Sequence, residues 1–111
     1  MELFLTSVKN TLESMVKAFN PDAAKGWNRV IQYVIKGEGG GVWQMIIRDQ
    51  RCSLLEGEQE RPDLKILTDV DTWMKLQKGE MSPTRAIMTR KLRTEGSFSD
   101  LMKLQGVFKA S

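Results

Sequence analysis

Val30-Ile31-Gln32-Tyr33-Val34-Ile35, the loop Gly37-Glu38-Gly39-Gly40-Gly41, and Val42-Trp43-Gln44-Met45-Ile46-Ile47 form the stretch whose reading decides the fold. Its two flanks are rich in β-branched and aromatic residues, which favour extended backbone, and no helix tolerates the glycine run between them. The pattern predicts two strands joined by a loop. Cys52-Ser53-Leu54-Leu55 reads as a third strand, reached through a turn at Asp49-Gln50-Arg51, so the three make an antiparallel meander. The polar run Glu56 to Arg61 then ends at Pro62-Asp63 and leads into a fourth strand, Leu64-Lys65-Ile66-Leu67. That longer connection lets the fourth strand cross to another edge of the sheet.

Helical periodicity lies on both sides of this block. Leu5, Val8, Leu12, Met15, Val16 and Phe19 follow the 3-4 spacing of an amphipathic helix, which Asn20-Pro21 ends because the residue before proline avoids the α region. Residues 22–25 have room for one further turn. Downstream, Thr68 is a candidate N-cap with Asp71 three residues on, Val70, Trp73, Met74 and Gln77 share a face, and Gly79 is the stop. Ser82 and Pro83 start another helix, with proline at the first helical position, where its missing N–H costs nothing, and Ala86, Ile87 and Met88 as its apolar body. Residues 92–96 read as a fifth strand. Ser99 then caps a last helix bearing Leu101, Met102, Leu104, Val107 and Phe108. The predicted class is α+β, in the order α-βββ-β-αα-β-α, as a single domain over residues 1–111.

Counting excludes much ordinary catalysis. The 111 residues contain no histidine and one cysteine, Cys52, so Ser-His-Asp and Cys-His nucleophiles, histidine-based metal sites and an internal disulfide are ruled out. There is no GxGxxG and no P-loop. Glu56, Glu58 and Glu60 fall in a polar loop, where that spacing means solvation more readily than a pair of catalytic carboxylates. No catalytic residue, metal or cofactor is expected. The longest stretch without a charge, residues 39–47, is far short of the roughly 20 apolar residues that cross a bilayer, and Glu2 stands where a secretory signal carries cations. The expectation is a soluble, cytoplasmic protein.

The net charge is +3, but residues 81–111 hold six basic and two acidic groups whereas residues 56–80 hold four and seven. A basic cluster at Arg85, Arg90, Lys91 and Arg93 suits a solvated face or an anionic head group. The absence of interleaved exposed aromatics argues against nucleic acid. Seven methionines, three tryptophans and four phenylalanines supply soft apolar mass, read either as ordinary core or as the lining of a cavity between sheet and helices that adapts to a long apolar ligand.

From Trp27 onward the chain resembles the sterol carrier protein 2 family of lipid-binding domains. Thr68-Asp69-Val70-Asp71-Thr72-Trp73 resembles its Ser/Thr-capped helix with an inward aromatic, and Leu76-Gln77-Lys78-Gly79-Glu80-Met81-Ser82-Pro83 its helix-glycine-proline junction. Ala86-Ile87-Met88 followed by Lys91-Leu92-Arg93-Thr94-Glu95-Gly96 is similar to its alanine-rich helix running into a Gly-Lys-Leu strand, and Leu101-Met102-Lys103-Leu104-Gln105 to its closing helix. Upstream, Ile31-Gln32-Tyr33, Trp43 to Ile47 and Asp63-Leu64-Lys65-Ile66 are collinear with its first strands. Arg90 stands where the family has glycine.

The resemblance implies a five-stranded, largely antiparallel sheet with helices packed on one face and an apolar tunnel between the layers. It implies binding or carriage of a long-chain lipid, such as a fatty acid, acyl-CoA, phospholipid or sterol, without catalysis. The pocket is expected to be lined by Ile31, Tyr33, Met45 and Ile47 from the sheet and by Trp73, Leu76, Met81, Met88, Leu101 and Leu104 from the helices. Arg85, Arg90 and Lys91 are expected near a head group or a transiently contacted anionic membrane. The competing expectation is an interaction module with the same fold and a filled pocket, forming a homodimer or assisting a lipid-metabolising enzyme.

Overall fold

The computed structural model of the protein describes residues 7–108. Helix α1 spans Val8–Lys17 and is capped by Ser7, whose hydroxyl accepts from the Asn10 amide at 3.1 Å. Leu5, predicted to open this helix, lies outside the described residues. After Asn20-Pro21 the chain makes the single turn expected at residues 22–25, held by hydrogen bonds from Ala24 to Pro21 and from Trp27 to Ala24.

Five strands follow the expected order: β1 (Arg29–Lys36), β2 (Gly41–Arg48), β3 (Arg51–Glu56), β4 (Leu64–Asp69) and β5 (Arg93–Gly96). The sheet runs β3-β2-β1-β4-β5, and every neighbouring pair is antiparallel except β1 with β4. The fourth strand therefore does cross to the far edge of β1. Within the first loop a Cβ on Gly40 would collide with the carbonyl of Ile35, so only glycine fits that position. The β2–β3 turn is tighter than expected. Asp49 and Gln50 alone form it, with φ of 53° and 61°, the geometry of a two-residue hairpin, and Arg51 already belongs to β3.

Alternation along the strands sorts the side chains. Ile31, Tyr33, Ile35, Trp43, Met45, Ile47, Leu64 and Ile66 occupy the inner face and form one core with Leu12 of α1, Trp73, Ala86, Leu101 and Leu104. The opposite face is closed differently. The buried Gln44 amide donates to Gln32 Oε1 at 2.8 Å and to the Glu60 carbonyl at 2.7 Å, and accepts from the Gln59 and Glu60 amides at 3.1 and 3.0 Å. All the bonding capacity of that amide is used, which folds the β3–β4 loop back over the sheet.

Helix α2 (Val70–Gln77) starts one residue later than predicted. Thr68 stays in β4, where its hydroxyl donates to the Lys91 carbonyl at 2.8 Å, and Asp69 becomes the cap, accepting from the Thr72 amide at 2.7 Å. Helix α3 (Pro83–Met88) is capped by Ser82 as expected. Helix α4 (Phe98–Val107) is capped by Ser97, not Ser99, whose hydroxyl instead lies 2.7 Å from that of Ser97. Leu92 is buried just ahead of β5 rather than within it.

Both α2 and α3 end in the same closed turn. Glu80 and Gly79 donate to Lys75 and Leu76, and Lys91 and Arg90 donate to Ala86 and Ile87, the paired bonds of a Schellman motif. Gly79 has φ 75° in the first and Arg90 has φ 63° in the second. Arg90 therefore bears the left-handed conformation that suits glycine. Among the described residues no helix is long and apolar enough to cross a membrane.

Candidate functional site

Between the sheet and the helices lies a pocket of about 200 Å³. Its floor is Tyr33 from β1 and Ile66 from β4, and its walls are Trp73 and Leu76 from α2, Leu101 and Leu104 from α4, and Met15 from α1. Phe108, tilted against Phe19 with ring centroids 5.8 Å apart, also lines it. The polar lining side chains Gln77 and Gln105 are exposed, so the interior is apolar apart from the Tyr33 phenol.

The aromatic wall is fixed by two contacts. The Trp73 ring meets Tyr33 nearly edge-on, with centroids 5.4 Å apart and an interplanar angle of 72°, the arrangement that aligns ring edge with ring face. Its indole nitrogen donates to the Thr11 hydroxyl at 2.7 Å, linking α2 to α1.

Five of the ten expected lining residues meet at this pocket: Tyr33, Trp73, Leu76, Leu101 and Leu104. Ile31, Met45 and Ile47 share the same face of the sheet but are packed into the core away from it, and Met81 is half-buried against the core. Met88 does not contribute, being 77% exposed. Ala86, Ile87 and Met88 are consecutive, each turned about 100° from the last, so a six-residue helix can direct only one of them inward, and that one is Ala86. Of the apolar lining, the sequence reading missed Met15, Ile66, Pro83, Leu92 and Phe108, although Met15 and Phe108 lie on predicted apolar helices and Ile66 alternates with Leu64.

The cationic expectation divides. Arg90 and Lys91 border a separate hollow of about 180 Å³ with Lys36, Asp69 and Arg93, while Arg85 is exposed on α3 and does not line it. Both oxygens of Asp69 are engaged by Thr72, and none of the four cations forms an ion pair among the described residues.

Cys52 is half-buried on β3, and burial pushes its thiol up to about 12, so it is a protonated, inert thiol at neutral pH. Burial also raises the Tyr33 phenol well above its ordinary range, with the nearby Cys52 adding to the shift. Among the described residues no cluster of three or more Cys, Asp or Glu side chains forms a metal site.

An apolar pocket between a mixed sheet and a helical layer, walled by aromatic and aliphatic side chains, is what this small α+β domain offers an apolar ligand. Comparison with known proteins gives the family. The model of the SCP-2 sterol transfer family matches residues 10–109, and the chain belongs to that family. A hydroxysteroid dehydrogenase-like protein 2 from Xenopus laevis is 26% identical over 101 residues, covering 90% of this chain and 24% of the relative. The chain thus spans about a quarter of that relative's length. Among solved structures, sterol carrier protein 2 like 2 from Aedes aegypti superposes with a TM-score of 0.72 at 20% identity, covering 95% of this chain and 98% of that one. A double mutant of the sec-alkyl sulfatase PisA1 gives 0.83 at 12% identity, covering 95% of this chain and only 17% of the sulfatase. At these identities the structural likeness establishes the fold.

Proposed function

We propose that this chain binds and carries a long-chain lipid, with the hydrocarbon in the pocket beneath Trp73 and no chemical step performed on it. The observation that carries the reading is the apolar pocket bounded by Tyr33, Trp73, Leu76, Leu101 and Leu104. Burial drives such binding: at about 0.8 kcal/mol per methylene, a ~16-carbon chain gains roughly 12 kcal/mol gross. Association and ordering return several kcal/mol of that, which leaves affinity in the micromolar range. The pocket volume of about 200 Å³ falls below the roughly 300–1,000 Å³ of ligand pockets. A full chain therefore enters by displacing flexible side chains, for which Met15 and Leu76 on its walls are suited. In this reading Arg90 and Lys91, with Lys36 and Arg93, touch an anionic membrane surface while the ligand is exchanged, and the protein works in the cytoplasm.

The test is displacement of a fluorescent fatty-acid probe from the purified chain, with mass spectrometry of any lipid that co-purifies. Saturable binding weakened at least tenfold by Trp73→Ala supports the proposal; failure to bind any acyl or sterol probe overturns it.

One observation favours a second reading, a module that assists an enzyme acting on lipid-like substrates. The dehydrogenase-like relative and the sulfatase each carry the matching region as a minor part of a longer chain. A tight homodimer or enzyme complex in light scattering, with no lipid in native mass spectrometry, would select it.

A further inference from the structure

Large apolar side chains scattered singly over a surface need no explanation, but those of this chain are concentrated. Among the described residues five are exposed, and four of them belong to α3 and α4: Ile87 at 41%, Met88 at 77%, Phe98 at 72% and Met102 at 51%. The fifth is Leu55 on β3. The core takes Ala86 from α3 and Leu101, Leu104 and Val107 from α4, so packing does not account for the four.

Their position is tied to the pocket. Of the side chains that line it, Gln77, Pro83 and Gln105 are exposed, so it opens to solvent between α2, α3 and α4. At about 100° of turn per residue, Ile87 points within about 40° of Pro83 on α3, and Phe98 and Met102 within about 60° of Gln105 on α4. Ile87, Phe98 and Met102 therefore stand on the helix faces that frame the mouth, and Met88 adjoins Ile87. The same stretch is cationic. Lys78, Arg85, Arg90, Lys91, Arg93 and Lys103 are exposed and form no ion pair among the described residues. The acidic groups between Lys78 and Lys103 are Glu80, Glu95 and Asp100, and Asp100 is already held by Arg29 and Trp27.

We propose that α3 and α4 form the face that docks on an anionic bilayer, with Ile87, Met88, Phe98 and Met102 entering the interface and the cations beside them meeting lipid phosphates. This rests on the lipid-carrier reading and adds an orientation to it. The mouth of the pocket faces the membrane, so a ligand passes between bilayer and pocket without crossing water. Two features select a bilayer over a protein partner. The cationic excess complements anionic lipid, and a protein seated on this face would stopper the mouth through which the ligand moves.

Co-sedimentation of the full chain with phosphatidylcholine vesicles, with and without phosphatidylserine, tests this. Binding should require phosphatidylserine. Arg85→Gln combined with Lys91→Gln should weaken it about tenfold to thirtyfold, from about fivefold per cation at such a surface. Phe98→Ser combined with Met102→Ser should weaken it about tenfold or more. Both double variants should keep the wild-type urea midpoint and the affinity for a fluorescent acyl probe in solution, because the four side chains are exposed and lie outside the pocket lining. If Phe98→Ser does not fold, Met102→Ser decides alone. Leu55→Ser on β3 and Lys17→Glu on α1 should leave vesicle binding unchanged. Vesicle binding that ignores phosphatidylserine, survives both double variants or is lost in Lys17→Glu overturns the proposal and leaves acyl binding standing. So does a homodimer in light scattering that Phe98→Ser with Met102→Ser dissolves, since the face then belongs to a second copy. If the wild type binds no acyl probe, the carrier reading falls and this inference with it.

Discussion

The indole nitrogen of Trp73 and the hydroxyl of Thr11 are 2.7 Å apart, and that hydroxyl donates onward to the Val8 carbonyl at 2.6 Å. The relay binds α2 to the first turn of α1 directly above the pocket. It converts a large apolar side chain into a wall of fixed orientation, since the indole cannot rotate without breaking its bond and its edge-on contact with Tyr33.

Trp73→Phe should therefore cost about 1 kcal/mol for the lost hydrogen bond, and Thr11→Val a similar amount. In urea unfolding the double variant should cost less than the sum of the two, with a coupling of about 0.5–1 kcal/mol. Additivity would mean that the relay does not form in solution. Trp73→Ala, which also opens a void, should cost about 3–5 kcal/mol.

Arg90→Gly should stabilise the protein by about 1 kcal/mol. The φ of 63° at Arg90 imposes a penalty on any residue with a Cβ, and the Schellman bonds from Arg90 and Lys91 are backbone bonds that glycine keeps. A rise in the urea midpoint at unchanged slope checks this; a fall would show that the Arg90 side chain makes a compensating contact.

Stability should decline as pH rises above 9. In the unfolded chain the Cys52 thiol ionises at its ordinary 9.0, but in the folded chain only near 12. Between those values the unfolded state gives up a proton that the folded state retains, so the stabilisation is complete below pH 9 and is lost progressively toward pH 12. Tyr33 pulls in the same direction. Urea midpoints at pH 8 and pH 10.5 should differ in the wild type, and less so in Cys52→Ala.

Asp100→Ala should destabilise by about 2–3 kcal/mol. Its carboxylate accepts from Trp27 Nε1 at 3.2 Å and Arg29 Nε at 3.0 Å, and Arg29 lies 5.5 Å over the Trp27 ring. Removing the carboxylate leaves a buried indole N–H without an acceptor and a half-buried guanidinium without its counter-charge, holding only the Asn28 carbonyl at 2.8 Å. Chemical denaturation followed by tryptophan emission reads both the loss and the change around Trp27.

The strands were legible because alternation and β-branching act locally: each inner-face residue from Ile31 to Ile47 follows from the pleat once one is placed. Crossing of β4 to β1 was legible from the length of the connection. The pocket was only half legible, because periodicity tells which face a residue occupies and not where along that face the layers separate. Ile31, Met45 and Ile47 share the face of Tyr33 and are packed solid. Met88 was misplaced because a six-residue helix has too few turns to show a stripe. The caps at Asp69 and Ser97 differ from Thr68 and Ser99 because neighbouring polar residues compete for one role, and the choice depends on partners distant in sequence, such as the Lys91 carbonyl that takes the Thr68 hydroxyl. The Gln44 network had no local signal at all.

The parallel pairing of β1 with β4 also sets an order of events in time. Ile31 is aligned with Met45 on one side and with Leu64 on the other, so the meander can close on local contacts while the second edge of β1 stays open until β4 arrives. Long-range parallel pairing is slow, and an uncovered apolar edge is a template for a strand from another molecule. During synthesis β1 is thus the most vulnerable element of the chain. A chain cut before Leu64 should accumulate as aggregate, whereas a complete one escapes by covering its own edge.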